Sequence, residues 1–175
     1  MLKIALIIAI ILIVAILLYA ASRVNTFTVE RSIDIKAAPE NIFAYINDFH
    51  LWQEWTPYDK DPAMKKSYGG STTGKGATYA WEGNKDVGKG EIAIAESIPP
   101  GKVEFDLHMI APFEGRNRVV FTMQPQGNAT HVIWAMDGVN PYLSKIIGLF
   151  MDMDKMIGKD FEVGLAKLKV VAERQ

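Results

Sequence analysis

The stretch GLFMDMDKMIGKDFEVGLAKLK, starting at Gly148, alternates methionine with aspartate. Thioethers beside carboxylates could hold a metal. Geometry removes that reading. Met153, Met156, Ile157, Phe161, Leu165 and Leu168 recur at helical spacing, so Asp152 and Asp154 point about 200° apart and cannot share a cation. The three histidines, His50, His108 and His131, show no HxxxH or HExxH spacing. The stretch YGGSTTGKGATY approaches a phosphate loop, but Lys75 is followed by Gly76 rather than serine or threonine. It also lies between two strands, where no helix N-terminus would receive a phosphate. It reads as a flexible hairpin loop near a cavity mouth. Cysteine is absent, which removes thiol nucleophiles, zinc–cysteine sites and disulfides. No catalytic set, metal site or cofactor is expected.

What remains is apolar. Strands are bounded by glycine, proline and asparagine at 63–68, 76–82, 89–98, 102–110, 116–124 and 130–138, after a first alternating strand at 26–37. Their presumed inward parity carries Tyr79, Trp81, Phe105, Met109, Phe121, Met123, Trp134 and Met136. Met153, Ile157, Phe161 and Leu165 face them from the C-terminal helix. Most such residues are ordinary core, but methionine adapts to irregular or variable space. Two polar residues share the inward parity: Asn117 among Val119, Phe121 and Met123, and Arg31 between Val29 and Ile33. A buried polar group needs a partner, either a ligand head group or the protein itself.

The elements that position these residues follow in order. Pro39 opens a short helix, and Trp52 and Trp55 suit a second. Short connections make the six later strands an antiparallel meander. Asn140 is the expected N-cap and Pro141 the first residue of a long helix reaching Ala172, with a break near Gly148 or Gly158. The class is α+β: a curved antiparallel sheet of about seven strands wrapped around a long C-terminal helix.

The first 22 residues differ from the rest. Ile4 to Ala21 is an uncharged, mostly aliphatic run of 18 residues, long enough to span a hydrocarbon core as a helix. It exceeds a usual signal-peptide h-region of about 7–15 residues, so a retained anchor is favoured over a cleaved signal. The short tail tipped by Lys3 is expected to stay cytoplasmic, putting the folded domain outside, in a bacterial inner membrane. The expected organisation is an anchor at 1–22, a linker at 23–28 and a domain at 29–175. Beyond Lys3 the chain carries 18 basic and 20 acidic residues, with no basic excess to bind nucleic acid.

The words VERSIDIKAAPENIFAYINDFHLWQEWTPYDKDPAMKKSY, GKGATYAWEGN, VGKGEIAIAESIPPGKVEFDL and GLFMDMDKMIGKDFEVGLAKLK resemble the SRPBCC superfamily. That superfamily contains the helix-grip fold of START domains, birch-pollen allergen and bacterial polyketide cyclase/dehydrase proteins. The resemblance covers Val29 to Glu173. It implies a hydrophobic cavity between sheet and long helix, and no fixed catalytic set. The expectation is a membrane-anchored binder of a lipid, isoprenoid, quinone or polyketide-like molecule. Two alternatives stand beside it: a cyclase or dehydratase using the same cavity, and an accessory subunit whose anchor packs with other membrane proteins.

Overall fold

A computed structural model describes residues 2–149 and 152–174. Phe150 and Met151 of the methionine–aspartate stretch lie outside them. Helix α1 (Leu2–Ser22) precedes β1 (Thr26–Ile35), α2 (Pro39–Asn47) and a 3-10 helix (Phe49–Glu54). Strands β2 (Lys65–Gly70), β3 (Ala77–Glu82), β4 (Lys89–Ile98), β5 (Lys102–Ala111), β6 (Gly115–Gln126) and β7 (Ala129–Val139) follow. Helices α3 (Tyr142–Ile147) and α4 (Met153–Ala172) end the chain. The sheet is antiparallel throughout, in the order β1-β7-β6-β5-β4-β3-β2.

The concave face follows from alternation. Val29, Ile94, Phe105, Val119, Phe121, Val132, Trp134 and Met136 are buried, while their strand neighbours are more exposed. Helix α4 covers this face with Phe161, Leu165 and Leu168. It runs parallel to β1: Arg31 meets its first turns, and Lys169 and Glu173 bond to Asp34 and Lys36 at the other end. Helix α2 contributes Ile42 and Ile46, and Trp55 follows the 3-10 helix into the core. The indole N–H groups of Trp52 and Trp55 donate to the carbonyls of Ile46 and Tyr45, which fixes the two short helices on each other.

The last helical stretch is divided, at the first of the two places expected for a break, near Gly148. Pro141 is the N-cap of α3 rather than its first residue, and Gly148 ends that helix. A second start follows, where the Asp152 carboxylate accepts from the Lys155 N–H, as an N-cap aspartate should. Residues 23–25 link α1 to β1, which begins at Thr26.

The outer face is polar. Glu104 accepts from Arg118 Nε and Nη2, both at 2.6 Å, and pairs with Lys102 Nζ at 2.9 Å. Arg118 first, then Lys102, hold its carboxyl down at about 2. A depressed folded-state value means that the stabilisation is complete above the ordinary carboxylate range. It is lost as pH falls from about 4.5 towards about 2. Glu104→Gln should therefore lower the urea midpoint at neutral pH and leave it equal to wild type near the acid end of that window. A constant difference across the window would contradict this.

Candidate functional site

The expected inward residues separate by depth. Phe105, Phe121, Met123, Trp134, Met136, Phe161 and Leu165 are buried in the central core. Trp134 stacks on Phe161 with centroids 4.1 Å apart and planes 9° apart, and also packs on Phe121 and Trp55. Gly164 makes this contact possible: a Cβ there would lie 2.7 Å from the Trp134 ring and 3.0 Å from Pro57. The Trp134 indole nitrogen is the one buried side-chain polar atom lacking a hydrogen bond among the described residues. Its N–H is available to an acceptor.

Tyr79, Trp81, Met109, Asn117 and Ile157 are only half-buried. The sheet register explains why they sit together towards one end. Phe27, Gly138, Asn117, Leu107, Ile92 and Tyr79 form one continuous row across β1, β7, β6, β5, β4 and β3. Met109, Gly90 and Trp81 form the next row outward, where the Trp81 ring lies over Gly90. Both rows belong to the end at which β1 begins and β7 finishes, the end where α1 joins the domain. Asn117 and Phe27 fill the space that a side chain on Gly138 would need. The Asn117 amide makes no side-chain hydrogen bond among the described residues. It is an inward polar group set among Phe27, Leu107 and Met109.

The other inward polar residue is accounted for by the protein. Arg31 Nη2 pairs with Asp154 Oδ2 and Nε with Glu162 Oε1, each at 2.9 Å. These hydrogen bonds, Asp154 first, raise the guanidinium pKa and keep it charged. The guanidinium occupies the space of the missing Gly158 side chain. Arg31 is therefore a clamp from β1 onto α4.

Met153 departs from expectation. Its expected place is the inner wall, yet it is 39 % exposed, and Met156, on the same apolar stripe, is exposed as well. Arg31 holds Asp154 of this first turn, yet Met153 and Met156 beside it remain in solvent.

The remaining candidates lie elsewhere. His50 Nδ1 is 2.8 Å from Asp48 Oδ1, and its ring stacks on Tyr68. His108 sits between Glu91 and Glu114, and His131 beside Asp34, both on the outer face. The glycine-rich loop joins β2 to β3 at the end opposite α1, where the Gly74 N–H donates to the Asn47 carbonyl. It borders a concavity of about 230 Å³ with His50 and Tyr68. A second groove, of about 630 Å³, runs along β3–β6: Glu91, Asp106, His108, Arg116 and Arg118, of outer-face parity, border it together with Ile92, Leu107 and Asn117 of the half-buried row. Neither is lined by α4. No group of three or more potential metal ligands occurs among the described residues.

Tyr79 is the titratable side chain in the half-buried rows. It stacks between Tyr68, Phe49 and Trp81. Burial, with smaller contributions from Tyr68 and Asp59, pushes its hydroxyl up to about 12. It is protonated at neutral pH and can donate a hydrogen bond.

Solved structures share this architecture. The protein MLL2253 of Mesorhizobium loti superposes with a TM-score of 0.63 at 18% identity, covering 85% of this chain and 98% of that one. The Aha1 protein of Colwellia psychrerythraea, solved as a dimer, gives 0.60 at 17%, covering 84% and 96%. The di-domain aromatase/cyclase BexL of the BE-7585A biosynthetic pathway gives 0.65 at 12%, covering 89% of this chain and 53% of BexL. At such identities the likeness concerns the fold. No curated protein sequence matches the chain. The family model described as polyketide cyclase / dehydrase and lipid transport matches residues 26–173, from the first strand to the end of α4, and the chain belongs to that family.

Proposed function

We propose that the chain is a membrane-anchored binding protein for a hydrophobic or amphipathic small molecule, of lipid, isoprenoid, quinone or polyketide-like type. The ligand sits at the anchor end of the concave face, between the half-buried rows of β3–β7 and the first turns of α4. One observation carries this reading: the Asn117 amide makes no side-chain hydrogen bond among the described residues, and it stands in an incompletely buried row with Phe27, Leu107, Ile92 and Tyr79. A mostly apolar pocket with few polar groups suits a molecule with one polar end. Asn117 would meet that end, and the flexible Met109 would adapt to its shape. Tyr79, protonated at neutral pH, offers the ligand a hydrogen-bond donor.

The anchor reading rests on α1. Lys3–Ser22 has a mean hydropathy of 3.3, and its hydrophobic window is 6% buried. Length and apolarity of this order suit a single membrane span. The short Lys3-tipped tail favours a domain outside the cytoplasm. A tethered cup would meet bilayer amphiphiles at high effective concentration.

The test is a fluorescence titration of the full chain in nanodiscs, with a short-chain ubiquinone and a dansyl-labelled long-chain fatty acid as probes. At least one probe should saturate at one site per chain, reported by tryptophan quenching or energy transfer. Asn117→Leu should keep the fold, because Asn117 bonds to no side chain among the described residues, and weaken binding about threefold to tenfold. Linear partitioning without saturation for both probes, or unchanged affinity in the variant, would contradict the proposal.

A further inference from the structure

We infer that the anchor end of the folded domain is itself a membrane-contacting face, with the β5–β6 hairpin tip inserted into the bilayer interface. This rests on reading α1 as a membrane anchor, and not on what the cup binds. Three residues separate α1 from β1, a span of about 10 Å even if fully extended. The link is also bonded down. The Asn140 N–H donates to the Asn25 carbonyl at 2.7 Å. Lys145 Nζ donates to the Arg23 carbonyl and to Asn25 Oδ1, and the Tyr142 hydroxyl donates to the Leu17 carbonyl at 2.9 Å. Helix α3 is thus seated on the last turns of α1, where Ala20 is fully buried. Tyr142 and Tyr19 then lie at the depth where tyrosine rings favour the interface.

The antiparallel register carries this position across the sheet. Thr26 pairs with Val139, and Gly115 pairs with Met109, so the β5–β6 turn projects from the edge at which α1 enters. Neighbouring strands are about 4.8 Å apart, so this turn lies within a few strand widths of the anchor. Its apolar side chains face solvent: Phe113 is 65 % exposed and Ile110 is 41 % exposed. Val139, on the same edge, is 65 % exposed. Single exposed apolar residues are ordinary, but a set gathered on the side that a bilayer must approach is not. A lipid surface is the occupant that the adjoining span selects. It would cover these residues and bring the half-buried rows next to the acyl-chain region.

The natural absence of cysteine permits single-cysteine labelling of the full chain. An environment-sensitive NBD probe would be attached at Glu114→Cys, which keeps Phe113, at Asn128→Cys on the opposite β6–β7 turn, and at Leu12→Cys within α1. The protein would be reconstituted in phosphatidylcholine vesicles with a minor fraction of phosphatidylglycerol, with and without doxyl-labelled lipid. Quenching at position 114 should exceed that at 128 by about threefold or more, and Phe113→Asp should reduce it towards the 128 value. Strong quenching at 12 with equal weak quenching at 114 and 128 would overturn the docked face and leave the anchor intact. No quenching at 12 would overturn the anchor, and this inference with it.

Discussion

Phe161→Ala is expected to cost about 3–5 kcal/mol of folding stability, the range for removing a large buried aromatic ring. Phe161 is 2% exposed and joins α4 to the sheet through its stack on Trp134. The opening cannot close easily, since Gly164 already brings α4 against Trp134 and Pro57, and Trp134 is held from the other side by Phe121 and Trp55. Phe161→Leu should cost distinctly less because it restores part of the volume. Equilibrium denaturation of the folded domain, followed by tryptophan fluorescence, measures both. A cost under about 1 kcal/mol for the alanine variant would mean that the interior collapses to fit. A soft centre of that kind would let a ligand travel deeper than the half-buried rows.

Gly158→Ala should be destabilising, opposite in sign to the gain of about 1 kcal/mol that alanine normally gives over glycine inside a helix. The cause is Arg31, whose guanidinium lies where the new methyl group would go. Asp154, Gly158 and Glu162 are spaced by four along one helix face, so one arginine can lie across the glycine and reach both carboxylates. The methyl group must displace the guanidinium and break both ion pairs. In an Arg31→Ala background the same substitution should become stabilising by up to about 1 kcal/mol, because only helix propensity remains. Stabilisation with Arg31 intact would show that the clamp moves aside freely. The device fixes the first turns of α4 against the middle of β1.

The strand pattern was legible because one face of an antiparallel sheet is buried and the other wet. Lys89–Ile98 has the same limits in sequence and structure, and Val103, Phe105, Phe121 and Trp134 point inward as alternation demands. Parity reports the face of a side chain and not its depth. Phe121 and Asn117 share a face, but Phe121 pairs with Trp134 at the centre while Asn117 pairs with Gly138 near the anchor end. That difference is register between distant strands, invisible to local periodicity. The β1–β7 pairing is the extreme case, joining Thr26 to Val139. The division of the last helix was legible in Gly148, which ends α3, while the new start at Asp152, a capping residue three positions before Lys155, lay within the methionine stripe. Arg31 was correctly assigned to the inner face. Its partners could not be found from sequence, since they lie more than 120 residues away.

The account stands on a small molecule held at the anchor end of the concave face. Native mass spectrometry of the full chain, extracted from its own membrane with a surrounding patch of lipid, tests this most directly. The predicted spectrum carries one apolar or amphipathic molecule per chain that survives lipid stripping, at lower occupancy in Asn117→Leu. A chain that emerges empty while holding a stable protein subunit would contradict it, and would support a role as an accessory subunit of a membrane complex.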